Sequence, residues 1–63
     1  MIDPKQAQVG DKFKMTITGF TEIYEGEVIY INANKLPVMK VLGEDAGSWP
    51  VLKNGDYILK EKI

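Results

Sequence analysis

The chain predicts an all-β domain of about five short antiparallel strands, curled into a small closed or nearly closed barrel. Three observations carry that expectation. Gly26-Glu27-Val28-Ile29-Tyr30-Ile31-Asn32 sets four apolar residues in a row between a glycine and a turn, the pattern of a strand buried on both faces in the middle of a sheet. Residues 12–18 alternate strictly, with Phe13, Met15 and Ile17 on one side and Lys12, Lys14, Thr16 and Thr18 on the other. Glycine and asparagine then punctuate the chain at short intervals, and no stretch shows the period of an amphipathic helix. A flat open sheet of this size would leave one face bare and its edges free to pair, so closure is expected.

Taken in order, residues 1–8 form a polar lead-in with one proline, expected to be extended or frayed, and residues 9–63 form the single domain. Val9-Gly10-Asp11 enters the first strand, which Gly19 ends. Residues 20–25 fit either a bent continuation or an excursion loop. The central strand runs over residues 26–31. Asn32-Ala33-Asn34-Lys35 signals a turn, because asparagine tolerates left-handed backbone. Residues 36–42 make a third strand, with Pro37 at its start or on an edge because it lacks an N–H. Residues 43–48 are a small acidic loop, and residues 49–52 a short fourth strand. Lys53-Asn54-Gly55-Asp56 carries a hairpin signal of the type I′ kind, leading into a last strand over residues 57–60 that extends or frays through Ile63.

Composition narrows the function. A 63-residue chain buries only roughly 60% of its unfolded surface, so the core must come from packing, which 44% apolar content permits. No cysteine is present, so disulfides and thiolate metal sites are excluded, and a cytoplasmic protein is expected. No apolar leader opens the chain, and no run approaches the ~20 residues a membrane span needs. Eight lysines face nine acids, a net charge of −1, with three lysines against five acids through Asn32 and five against four beyond it. There is no arginine, and neither half is the basic footprint of a dedicated nucleic-acid binder.

Gly10-Asp11-x-Phe13-x-Met15, then Gly19, then Gly26-x-Val28-x-x-Ile31, resembles the KOW motif that opens small SH3-like barrels in ribosomal proteins and transcription elongation factors. The likeness covers roughly residues 10–32. It implies a five-stranded antiparallel SH3-like barrel and, as an activity, RNA or DNA binding. The interval from Gly19 to Gly26 is longer than the usual pattern. Glu22, Glu25 and Glu27 stand where nucleic-acid-binding members are commonly basic.

Catalytic chemistry has few groups to work with. Histidine and cysteine are absent and Ser48 is the only serine, so the common nucleophile–base pairs cannot form. Glu25 and Glu27 share a strand face, the ordinary pattern of a solvated surface. Glu44-Asp45 with the Gly43 and Gly47 carbonyls matches no cation-loop spacing, so no metal and no cofactor is expected. The expectation is a non-enzymatic binding module with an unidentified protein partner, the size suiting a small accessory factor such as mobile elements encode. Its contact residues would be Trp49, Tyr24, Tyr30, Glu44 and Asp45, since interfaces favour Trp and Tyr and an acidic balance suits a basic partner. A lone tryptophan in so small a protein is more often core, and Trp49 also fits a position capping one end of the barrel. The alternative is a KOW-like nucleic-acid surface of Lys12, Lys14 and Lys40 with Phe20 as stacking aromatic. Self-association through an edge strand at residues 36–42 is a third course, and no membrane contact is expected.

Overall fold

A computed structural model describes residues 2–43 and 46–63. Its framework is a four-stranded antiparallel sheet, β1 (Lys12–Ile17), β2 (Ile23–Ile31), β3 (Pro37–Val41) and β4 (Tyr57–Lys62), in the spatial order β3-β2-β1-β4. Among the described residues there is no α-helix, only two single 3₁₀ turns at Pro4–Gln6 and Ala46–Ser48. The all-β expectation holds. Closure into a barrel does not: the sheet is open, because no backbone ladder joins β3 to β4. Instead a side chain spans the gap, with the buried Tyr57 hydroxyl donating to the Pro37 carbonyl.

The alternation in β1 is realised as expected, with Phe13, Met15 and Ile17 buried and Lys12 and Lys14 exposed. The same inner face collects Val28, Met39, Val41, Leu52, Tyr57 and Leu59 into one core. β2 lies between β1 and β3, so the central stretch is an interior strand, and it begins three residues earlier than expected. Burial on both faces is not observed. The ladder to β3 shifts between Val28 and Tyr30, and this bulge at Ile29 breaks the period of two. Val28 and Ile31 therefore both turn to the core, while Ile29 and Tyr30 are 39% and 59% exposed. The apolar run reflects a bulge rather than double burial. Upstream, Gly26 sits opposite Phe13, and a Cβ there would lie 2.5 Å from Met15 Cε and 3.2 Å from the Lys40 carbonyl. Only glycine lets the core methionine lie across β2.

Residues 49–52 do not form a strand. Among the described residues, one bridge, Leu52 to Met39, with both backbone bonds at 2.8 Å, is all that attaches to the outer edge of β3. Pro50 removes a donor two residues earlier, which keeps the pairing short. Nor is 53–56 a hairpin turn of type I′: Gly55 takes φ +98° but Asn54 does not take positive φ, and β4 departs to pair with β1. At 32–35 the left-handed residue is Lys35, φ +63°, not an asparagine. Asn32 acts instead through its side chain, Oδ1 accepting from the backbone N–H groups of Asn34 (2.9 Å) and Leu36 (3.0 Å). The lead-in is also more ordered than expected. Asp3 caps a 3₁₀ turn that has Pro4 at its first position, and Ile2 and Ala7 pack against the core.

Candidate functional site

Three aromatic side chains converge where the β1–β2 connection meets the segment after the second 3₁₀ turn. Gly19, at φ +90°, closes a tight turn in which the Phe20 N–H donates to the Ile17 carbonyl at 2.9 Å. That turn throws Phe20 outward. Tyr24 lies opposite Met15 on the inner side of β2, and Trp49 follows the Ala46–Ser48 turn. The rings meet edge to face: Phe20–Trp49 at 5.0 Å between centroids, Tyr24–Trp49 at 5.2 Å and Phe20–Tyr24 at 6.3 Å. Such pairs contribute about 0.5–1.5 kcal/mol each beyond burial. Tyr24 and Trp49 are half-buried and packed against the core, whereas Phe20 is 51% exposed. The cluster is rooted in the core and open to solvent at Phe20.

Of the contact residues proposed for a protein partner, Tyr24 and Trp49 thus meet. Tyr30 does not join them, lying on the outer face opposite Val38. Glu44 and Asp45 lie outside the described residues. Phe20, assigned from sequence to the nucleic-acid surface, joins the other two rings instead. Trp49 is neither fully core nor free, but the middle of this cluster.

The lysines of the nucleic-acid alternative occupy the outer face of the sheet. There the register sets opposite charges across from one another. Lys12 faces Glu27, which faces Lys40; Glu61 faces Lys14, which faces Glu25. Each of these three lysines therefore has a carboxylate opposite it in the ladder. The match is one of strand register, and none of these pairs closes to an ion pair within 4.0 Å.

A groove of about 480 Å³ opens between the N-terminal turn and the start of β1, lined by Ile2, Asp3, Gln6, Ala7, Asp11, Phe13 and Lys62. Its carboxylates serve the backbone: Asp3 accepts from Lys5 N–H, Asp11 from Gln8 N–H, both at 3.0 Å, and Asp11 also lies 3.7 Å from Lys62 Nζ. The groove escapes sequence reading because residues 1–8 look frayed. The available signal was Asp3-Pro4, an N-cap followed by proline. Among the described residues no grouping of three or more potential metal ligands occurs, and no helix is long and apolar enough to cross a membrane. Comparison with family models, curated proteins and solved structures returned no match.

Proposed function

We propose that this protein is a non-enzymatic binding module that docks a protein partner on the Phe20–Tyr24–Trp49 cluster. The observation that carries the reading is the half-exposed Phe20 ring, held against two rings that are themselves fixed to the core. A solvent-facing aromatic that is already ordered loses little conformational entropy on binding, which is what contact hot spots require. The nucleic-acid alternative has less support, because each of its lysines has a carboxylate opposite it in the ladder and its aromatic lies with the other cluster. A non-enzymatic role is further supported by the lack of histidine and cysteine, and the missing cysteines also favour a cytoplasmic setting.

For the architecture we adopt the SH3-like, KOW-like reading. It is supported by the return of β4 to β1 and by the single Leu52 bridge on the far side of β3. The Tyr57–Pro37 hydrogen bond draws the two edges toward each other.

The test is selection of peptides from a random displayed library against the folded chain, followed by NMR mapping of the best binders. The expected result is shifts centred on Phe20, Tyr24 and the Trp49 indole, with at least about tenfold weaker binding by Phe20→Ala, equivalent to roughly 1.4 kcal/mol. Shifts centred on the lysine face, or no selected binder, overturn the proposal.

A further inference from the structure

We propose that Asn54 is a site of spontaneous deamidation, and that its isoaspartate product loosens the clasp holding the start of β4 to the sheet. Asparagine is among the thermolabile side chains, and its conversion needs only a following backbone nitrogen that can reach the amide, and water. Of the three asparagines, Asn54 alone is followed by glycine. Both residues are exposed at the tip of the turn, and a Cβ at Gly55 would meet nothing within 4 Å, so space around this peptide unit is open. Among the described residues the Gly55 N–H donates to no acceptor and the Asn54 amide has no hydrogen-bond partner, so neither reacting group has a bond to break first. The other two asparagines differ on these points. Asn32 Oδ1 is held by the Asn34 and Leu36 N–H groups, and the residues after Asn32 and Asn34, Ala33 and Lys35, each carry a Cβ that crowds ring closure.

In the first step the Gly55 nitrogen bonds the Asn54 side-chain carbonyl carbon and gives up its proton, and the amide nitrogen leaves with that proton as ammonia. Water then opens the cyclic imide at either carbonyl. Opening at the side-chain carbonyl gives aspartate. Opening at the backbone carbonyl gives isoaspartate, whose main chain runs through the side-chain methylene and is one carbon longer. The place of insertion decides the consequence. Residues 53–56 join the Leu52 bridge on β3 to the start of β4. The turn is closed by Asp56 N–H donating to the Lys53 carbonyl and Lys53 N–H donating to Asp56 Oδ2, both at 2.9 Å. Thr18 fastens it to the end of β1, its Oγ1 donating to the Gly55 carbonyl and its N–H to the Asp56 carbonyl, both at 2.9 Å. Tyr57, the next residue, donates its hydroxyl to the Pro37 carbonyl. A carbon added between residues 54 and 55 enlarges the ring that the Asp56–Lys53 bond closes and displaces the Gly55 carbonyl from Thr18.

The experiment incubates the full folded chain in warm, mildly alkaline buffer, with the urea-unfolded chain beside it as a clock. Intact mass reads the replacement of the amide by a carboxylate, and peptide mapping with an isoaspartate-specific methyltransferase locates it. The expected result is conversion of the folded chain confined to the peptide holding Asn54, and its loss in Asn54→Gln, whose longer side chain does not close the small ring. The isoaspartate form, separated by ion exchange, should show a urea midpoint shifted below the parent's. Asn54→Asp carries the same new charge without the added carbon and should stay close to the parent, which separates chain length from charge. A folded chain that keeps its mass while the unfolded chain converts, or conversion first at Asn32 or Asn34, overturns the site. An isoaspartate form with the parent's midpoint, or an Asn54→Asp variant shifted as far, overturns the loosening of the clasp by the longer main chain.

Discussion

Tyr57 shows how much of this small fold hangs on one polar atom. Its ring is part of the core, and its hydroxyl satisfies the Pro37 carbonyl across the open side of the sheet. Burial pushes the phenol above its usual value of 10.0, and the adjacent Asp56 carboxylate pushes it the same way. The sign of the consequence follows from proton counting. From about pH 10 upward the unfolded chain gives up this proton while the folded chain keeps it, so folding loses stability until the folded value is reached. Tyr57→Phe is therefore expected to cost about 1–2 kcal/mol at pH 7, where it leaves a buried carbonyl without its donor. The deficit relative to the parent should shrink above pH 10. Urea midpoints of the two proteins at pH 7 and pH 10.5 check this, because lysine titration is common to both and cancels. A deficit that stays constant across that range sinks the account.

At the scale of elements, the connections are decided by side chains as much as by glycines. The β2–β3 turn is held by Asn32, whose Oδ1 takes two backbone donors while its own backbone exchanges bonds with Leu36 (3.0 Å) and Lys35 (2.9 Å). Asn32→Ala removes the acceptor for both donors and is expected to cost about 1–2 kcal/mol. That corresponds to a fall in melting temperature of roughly 5–15 °C for a domain of this size. Asn32→Asp keeps the oxygen and should stay close to the parent. Calorimetry of the pair tests the claim, and an Asp variant as unstable as the Ala variant would refute it. The turn's location was legible in the sequence but its mechanism was not, since composition marks asparagine without saying whether backbone or side chain does the work. β1 was fully legible, because a strand with one wet face writes its period directly into alternation. β2 was legible as a strand and misjudged as to faces. A bulge inserts one residue, so Val28 and Ile31 can share a side although their spacing is odd. The expected strand at 49–52 failed for a different reason. Apolar residues there serve the core through Leu52 and the ring cluster through Trp49, with a single bridge to β3.

Over the whole molecule, function depends on which residues distant in sequence become neighbours, and that was the least legible quantity. Nothing local joins position 20 to position 49, yet those rings lie 5.0 Å apart. The outer face shows the same dependence on register. Lysines 12, 14 and 40 look like a basic surface when read along the chain, and become alternating rows only when the strands are set side by side. Counterion release needs several lysines near one phosphate track without competing carboxylates, so the parent chain should show negligible oligonucleotide-induced NMR shifts even at ~20 mM salt. Reversing the two central carboxylates changes that balance. Glu25→Lys with Glu27→Lys turns the β1–β2–β3 part of that face into five lysines with no acid opposite them on β2. The double variant is expected to gain oligonucleotide binding that weakens by about tenfold or more between 50 mM and 200 mM salt. Its aromatic cluster should be unperturbed, because both substitutions point away from the core side of the sheet. Salt-sensitive shifts on the lysine face of the parent would reverse the order of the two functional readings. Binding by the double variant alone would show that the carboxylates, rather than a want of lysines, keep this face silent toward nucleic acid.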